Sequence, residues 1–382
     1  MKILQIVTYI SPDGAYGGPV RVAINQAKAL TELGHEVVVA AGAGGFAGPL
    51  PHEFDGYPVQ LFPARRVTSK AGFAGVFSPA LLCWLLNALR YADVVHVHMG
   101  RDLVTLPAAL IARLTGKPLV VQTHGMIRQS KRRLAKPLDA LVTCPILRRA
   151  AIVLHLTELE KSKLTDIAGK NLNFYSLRNG VNATDMRAEE QVFGESKNPE
   201  VLFLARLHRR KRPMQMVSAA AKLIAKYPHM RFKLVGPDEG EAASVERAIK
   251  EYGLEHAVAW EGPIDPLGTG QRMSKASIFA LPSTNEPYPM AILEAMAYGL
   301  PVVLTDSCGL APIVEEFNCG VVCDSTSESF EAALDTLMRD SQKRITMGRN
   351  SVRVVQDLNS MQAVGEELSG IYRNALAFHL GE

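Results

Sequence analysis

The sequence predicts an α/β fold of two doubly wound, Rossmann-like parallel sheets facing across a cleft. Short β-rich runs alternate with helix-period segments along the chain, and the alternation restarts after a polar stretch near the middle. A length of 382 residues fits two domains of roughly 150 residues better than one or three. With 47% hydrophobic and 21% charged residues, the composition excludes wholesale disorder and a multi-pass membrane protein.

The first strand is read at Ile3 to Tyr9. Val20, Ile24, Ala27, Leu30 and Leu33 then recur at helical spacing, with Pro19 at the start of the helix and Gly34 at its end. Further strands are read at Glu36–Ala41, Val59–Phe62, Val94–Val97, Leu119–Thr123 and Ile152–Leu156. A helix after Pro79, one from about Asp102 to Leu114 and one between Arg133 and Arg149 separate them. The uncharged stretch Ala71–Leu89, 19 residues, is nominally long enough to span a bilayer. Gly72, Gly75, Ser78, Pro79 and Asn87 interrupt it, so it reads as a core helix capped by Ser78 with Pro79 at its first position. The apolar start runs into Ser11-Pro12-Asp13-Gly14 with no small-residue cleavage site, so it reads as a strand and not as an export signal. Five cysteines (Cys83, Cys144, Cys308, Cys319, Cys323), never spaced C-x-x-C, fit a reducing cytoplasm.

Glu189 to Glu200 has the composition of a linker. Beyond it strands are read at Val201–Ala205, Phe232–Val235, Val258–Trp260, Ile278–Pro282 and Val302–Thr305. The helices among them are Met214–Lys226, Ala242–Tyr252, Gly270–Lys275 and Ala291–Tyr298, with long helical patterns to the end. The expected division is a first Rossmann-like domain at 1–185, a second at 186–362, and a helix at 363–382 packing back on the first. Ligands of doubly wound sheets bind in the cleft that two such units imply.

Gly42-Ala43-Gly44-Gly45-Phe46-Ala47 matches a dinucleotide fingerprint, but Gly48-Pro49-Leu50-Pro51 cannot promptly begin the helix that the motif needs. Gly17-Gly18-Pro19 does open onto a helix, so its amides suit an anion, the alternative being a plain strand-to-helix turn. In Ser283-Thr284-Asn285-Glu286-Pro287-Tyr288-Pro289-Met290 two prolines force an extended approach. Glu286 therefore lies in a loop after a strand and Glu294 in the first turns of the following helix. The bland reading is a solvated carboxylate pair. His96 and His98 share one strand face, but no Asp, Glu or Cys stands at ligand spacing, so no metal site is expected there. Arg101 and Asp102 follow that strand as acceptor contacts or, alternatively, as an ion pair and a helix cap.

The net charge of +4 does not call for nucleic acid, yet it is segregated. Gly125–Ala150 carries Arg128, Lys131, Arg132, Arg133, Lys136, Arg148 and Arg149 against Asp139, and Arg206–Arg212 carries five bases. The first cluster suits an anionic acceptor or bilayer, at about 1 kcal/mol per base near a membrane surface, or is an ordinary solvated face.

On these residues the chain resembles the family-4 retaining glycosyltransferases of the GT-B architecture. The resemblance is carried by the E-x7-E segment Glu286 to Glu294, by Arg206 and Lys211 in Ala205-Arg206-Leu207-His208-Arg209-Arg210-Lys211, by Gly17-Gly18, by Thr123-His124-Gly125 and by Asn179-Gly180-Val181. It implies transfer of a sugar from a nucleoside diphosphate sugar, a co-substrate and not a cofactor, to a glycan, lipid-linked or small-molecule hydroxyl. Arg206 and Lys211 would neutralise the diphosphate without a metal, and no D-x-D occurs in the chain. Glu294 would bind the ribose, Glu286 the donor sugar, the amides of Tyr288 and Met290 the donor, and His124 the sugar near its anomeric carbon. Two departures stand out: Tyr288-Pro289 replaces the common Phe-Gly, removing an amide, and Pro312 replaces a common Glu. The rival readings are a sugar-phosphate synthase or nucleotide-sugar hydrolase on the same scaffold, a non-catalytic nucleotide or sugar binder and, last, an NAD-dependent enzyme.

Overall fold

The computed structural model describes the chain except residues 13–16, 68–73, 131–134, 182–198, 266–267 and 381–382. The chain divides into two compact units, Met1–Gly180 with Met361–Glu382, and Val181–Ser360. Most of the predicted linker lies outside the described residues.

The first unit holds β1 (Lys2–Ile10), β2 (Glu36–Ala43), β3 (Glu53–Phe54), β4 (Tyr57–Pro63), β5 (Arg65–Arg66), β6 (Val76–Phe77), β7 (Val94–His98), β8 (Leu119–Gln122), β9 (Ile152–His155) and β10 (Phe174–Ser176). The main sheet runs β10-β9-β8-β7-β1-β2-β4-β3, parallel apart from the β3–β4 pair, while β5 and β6 form a separate antiparallel pair. Its helices are α1 (Gly17–Glu32), α2 (Pro79–Ala88), α3 (Thr105–Leu114), α4 (Ala135–Leu138), α5 (Cys144–Arg149), α6 (Glu158–Ala168) and the last helix of the chain, α14 (Met361–Leu380). Every residue of β7 is buried, as a central parallel strand covered on both faces must be. Leu4, Ile6, Val95 and Val97 face the core with α2 and α3, whereas Ile3, Val94, Val120 and Leu154 meet Ala29 and Leu30 of α1 and Leu368, Tyr372 and Ala375 of α14.

The second unit is a six-stranded parallel sheet ordered β13-β12-β11-β14-β15-β16. Its strands are β11 (Glu200–Leu204), β12 (Arg231–Val235), β13 (Val258–Trp260), β14 (Ile278–Leu281), β15 (Val302–Thr305) and β16 (Gly320–Cys323). Its helices are α7 (Pro213–Leu223), α8 (Ala242–Glu251), α9 (Thr269–Met273), α10 (Met290–Ala297), α11 (Ala311–Glu316), α12 (Ser327–Arg339) and α13 (Ser341–Leu358). The order places β11 beside β14, so the loops that leave their C-terminal ends emerge side by side, the usual ligand edge of such sheets.

The structure corrects three local readings. Ser78 precedes α2 but does not cap it; its hydroxyl donates to the Pro63 carbonyl at 2.9 Å. The helix expected between Arg133 and Arg149 is broken by a π-helical turn at Asp139–Thr143. Gly320–Cys323, read within a helical stretch, is an edge strand paired with β15. No helix among the described residues is long and apolar enough to cross a membrane, and the described part of the stretch ending at Leu89 holds β6 and the ten-residue α2. No helix follows Gly42–Ala47, as the failed fingerprint requires.

Candidate functional site

In the second unit the loop after β11 runs tightly past the end of β12. A Cβ on Gly236, whose φ is +140°, would lie 2.1 Å from the Ala205 carbonyl oxygen, so only glycine lets the two segments approach. Beyond Ala205, Leu207 bridges to Asp238, and the chain turns through His208 to Arg212, whose φ of +57° opens α7. Lys211 Nζ donates to Glu286 Oε2 at 2.6 Å, and Arg210 Nη2 lies 3.7 Å from the same oxygen. Glu286 is 8% exposed. Arg206 instead pairs with Glu239, 2.5 Å away beyond β12. Of the two bases expected at a diphosphate, the structure thus brings Lys211 to Glu286 and gives Arg206 a separate carboxylate.

The loop bearing Glu286 is anchored along its length. Thr305 Oγ1 donates to the Ser283 carbonyl at 2.6 Å, the Thr284 amide to the Arg210 carbonyl at 3.0 Å, and the Asn285 amide to Ser307 Oγ at 3.1 Å. The Gly309 amide donates to the Glu286 carbonyl at 2.9 Å. Asn285 takes φ +52°, a conformation that asparagine tolerates better than most residues. Pro289 then precedes α10, so the Met290 amide belongs to the first turn of a helix, where donors lack intrahelical acceptors. Glu294 sits on α10, half-buried. Tyr288 is buried, its hydroxyl accepting from Asn359 Nδ2 at 2.9 Å. Burial pushes the nearby Cys308 thiol up to about 12, and the Glu286 carboxylate adds to the effect, so Cys308 is no nucleophile at neutral pH.

In the first unit His124 follows β8 in a turn with both central residues left-handed, φ +50° at His124 and +69° at Gly125, closed by the Met126 amide on the Thr123 carbonyl at 2.8 Å. Glu160 of α6, 4% exposed, holds this turn. Its Oε1 accepts from Thr123 Oγ1 at 2.5 Å and from the Gly125 amide at 2.6 Å, and its Oε2 accepts from the Leu156 amide at 2.8 Å. His124 Nε2 lies 2.8 Å from His98 Nδ1. Burial holds His96 and His124 down to about 3 and His98 well below the ordinary histidine range, with the neighbouring imidazoles adding to it for His96 and His98. All three are neutral at physiological pH.

The acceptor-side candidates take structural partners. Arg101 makes a two-pronged bond to Asp139, both contacts 2.8 Å. Asp102 is buried and caps α3, accepting from the Val104 and Thr105 amides at 2.9 and 2.7 Å and from the Thr8 and Thr105 hydroxyls at 2.9 and 2.6 Å. Burial raises its pKa and these bonds oppose the rise. Gly17 opens α1 and Gly18 is exposed. Arg128, Lys136, Arg148 and Arg149 are exposed, while Lys131, Arg132 and Arg133 lie outside the described residues. Arg210, Glu160 and His98 were missed as site residues. Glu160 does carry a local signal, since Thr157-x-x-Glu160 is a capping-box spacing, and Thr157 Oγ1 accepts from the Glu160 amide at 3.1 Å.

Comparison with known proteins bears on the family and the fold. Residues 17–173 match the family described as glycosyl transferase 4-like domain, and residues 185–353 match glycosyl transferases group 1. The chain is 25% identical to an alpha-D-kanosaminyltransferase of Streptomyces kanamyceticus, over 85% of this chain and 86% of that protein. It is also 25% identical to a D-inositol 3-phosphate glycosyltransferase of Corynebacterium aurimucosum, over 100% of this chain and 97% of that protein. Among solved structures it resembles Anabaena HepE in complex with UDP and glucose, with TM-score 0.73, 20% identity and coverage of 98% and 99% of the two chains. It likewise resembles the sucrose-phosphate synthase of Thermosynechococcus elongatus, with TM-score 0.74, 19% identity and coverage of 99% of each chain. Two parallel α/β units, a Lys–Glu pair at the ligand edge of the second and matches to both family models along most of the sequence place the chain among the family-4 glycosyltransferases of the GT-B architecture.

Proposed function

We propose that the protein moves a hexose-type sugar from a nucleoside diphosphate sugar to an acceptor hydroxyl, with retention at the anomeric carbon, in the synthesis of a bacterial surface polysaccharide or glycoconjugate. The observation that carries the reading is the Lys211–Glu286 pair, 2.6 Å apart on the loops of adjacent strands. Departure of a nucleoside diphosphate builds negative charge on phosphate oxygens, and fixed cations there stabilise the transition state more than the ground state. Lys211 and Arg206 supply that charge, Glu286 takes hydroxyls of the donor sugar, Glu294 those of the ribose, and the amides of Tyr288 and Met290 the donor. His124 serves the donor sugar, and the amides at Gly17-Gly18 serve the anion. With the cations built into the chain, turnover is expected to survive chelation of divalent metals.

The test is a melting-temperature screen with UDP, GDP, ADP and TDP. A ligand at about 100 times its Kd stabilises by roughly 2.7 kcal/mol, and one base should stand out. The likeness to a protein bound to UDP makes UDP the first candidate. A chain that none of the four stabilises would sink the reading. Similarity to an inositol 3-phosphate glycosyltransferase and a sucrose-phosphate synthase favours a second reading, a phosphorylated acceptor. Mass spectrometry of products with phosphosugar, glycan, lipid and water offered as acceptors separates the two. The exposed bases Arg128, Lys136, Arg148 and Arg149 support action in the cytoplasm against an anionic membrane. Equal sedimentation with anionic and neutral vesicles at two salt concentrations would remove that part.

A further inference from the structure

The His124 ring is mounted on a column of buried rings that the proposed chemistry does not use. The His98 ring lies nearly parallel to it, with centroids 5.0 Å apart and an interplanar angle of 8°. His96 stacks on His98 at 4.4 Å, and His96 Nδ1 is 2.8 Å from the Tyr372 hydroxyl of α14, which also accepts from Gln5 Nε2 at 3.4 Å. The sheet sets this order, because His96 registers with Gln5 of β1 and His98 with Gln122 of β8.

A neutral imidazole has one N–H and one bare nitrogen, so the 2.8 Å contact between His98 Nδ1 and His124 Nε2 needs a donor on one ring and an acceptor on the other. His98 Nε2 is buried without a hydrogen-bond partner. Were the His98 proton on Nε2, a buried N–H would be orphaned, the rarer defect in folded proteins. With the proton on Nδ1 only a bare nitrogen is left. His98 then donates, His124 Nε2 accepts, and the His124 proton resides on Nδ1, ready to donate to a hydroxyl oxygen.

We propose that His98 is a positioning residue for His124, fixing the orientation of its ring and its Nδ1–H tautomer. The inference rests on the reading that His124 serves the donor sugar, and it adds a residue to that site. Its consequence for rate is one of alignment, since misplacement of a contacting group by about 1 Å can slow a reaction on the order of 100-fold.

The test compares full-length wild type with His98→Leu, His98→Asn and His124→Ala. An Asn amide sits near the place of Nδ1 and keeps a donor toward His124, which Leu does not. In protein labelled with nitrogen-15 at histidine, the His124 resonances, identified by their loss in His124→Ala, should report a single Nδ1–H tautomer in wild type and in His98→Asn. In His98→Leu they should report an average of tautomers. Nucleotide release from UDP-glucose or GDP-mannose should show kcat down about 10- to 100-fold in His98→Leu with KM within about twofold, and His98→Asn within about threefold of wild type. An Nε2–H tautomer in wild type, or a His124 spectrum that His98→Leu leaves unchanged, overturns the proposal. So does full turnover in His98→Leu beside an inactive His124→Ala, and that outcome leaves the donor reading standing. Full turnover in His124→Ala removes the role of His124 and with it the proposal. Should His98→Leu fail to fold, the wild-type and His98→Asn spectra still decide the tautomer.

Discussion

Past the C-terminal end of β14 a carboxylate, Glu286, meets Lys211 and Arg210, whereas past the end of β8 an imidazole, His124, meets another imidazole. Each group rides on a loop at the C-terminal edge of its own parallel sheet. The surroundings differ in kind. The loop after β11 carries five bases within seven residues, so the second unit offers net positive charge to a ligand. The ring column of the first unit is held neutral by burial and offers hydrogen bonds without charge. A nucleoside diphosphate sugar has the same division, an anionic diphosphate and a neutral, hydroxyl-bearing ring. One type of scaffold therefore sets two kinds of surroundings at its strand ends, charged in the second unit and neutral in the first.

Removing the charge of the second unit should have the largest effect. Lys211→Met is expected to lower kcat/KM about 100- to 1000-fold and, because it leaves the buried Glu286 carboxylate without its close partner, to cost about 3 kcal/mol in urea unfolding. The double variant Lys211→Met/Glu286→Gln should recover most of that stability and none of the turnover. Recovery of both would show that Lys211 acts only on the fold.

Distorting the second unit's loop without touching its charge comes next. Gly236→Ala sets a methyl 2.1 Å from the Ala205 carbonyl oxygen and should destabilise by about 2–4 kcal/mol, displacing the segment that carries Arg206 and Lys211. A urea midpoint equal to wild type would mean that the Ala205 and Gly236 segments separate at no cost.

The first unit is best broken with acid. His96 titrates near 3 when folded and near 6.5 when unfolded, so between these values the unfolded chain binds more protons. Its contribution is complete above about pH 6.5 and is lost as pH falls toward 3, at up to about 1.4 kcal/mol per pH unit. Asp102, whose pKa is raised by burial, works in the opposite sense in the carboxylate range, so the measurement is a difference. Urea unfolding of wild type and His96→Gln from pH 7 to 4 should show a shallower decline in the variant. Parallel curves would mean that His96 takes up protons when folded.

The alternation of strands and helices was legible because each parallel strand is a short apolar run between helix-period segments. The residue types of the candidate site were legible too, since Glu286, Glu294 and Lys211 lie in local motifs. Their partners were not. Glu160 reaches Thr123 across 37 residues and Arg101 reaches Asp139 across 38, distances over which local spacing carries no information. The edge strand Gly320–Cys323 is only four residues long, too short for a period of two to stand out among helical patterns. Ser78 has the composition and position of a cap, yet its hydroxyl turns to the Pro63 carbonyl, an acceptor that only the tertiary fold brings near.

The smallest effect is expected where the chain departs from its family, at Tyr288 in place of the common phenylalanine. The ring is buried, and its hydroxyl accepts from Asn359 Nδ2 at 2.9 Å. The Asn359 carbonyl in turn accepts from the Val181 amide at 2.8 Å, and Val181 pairs with Ser360. The donor loop is thereby bonded to the two places where the chain passes between its units, after Gly180 and before Met361. Tyr288→Phe keeps the ring and removes the hydrogen bond to Asn359, so urea unfolding should show a loss of about 1 kcal/mol. Nucleotide affinity should stay within about threefold, because the donor contact proposed at Tyr288 is made by its backbone amide and not by its hydroxyl. A tenfold loss of affinity with unchanged stability would reverse that assignment and make the tyrosine hydroxyl a donor contact in its own right, a feature that a phenylalanine at this position cannot supply.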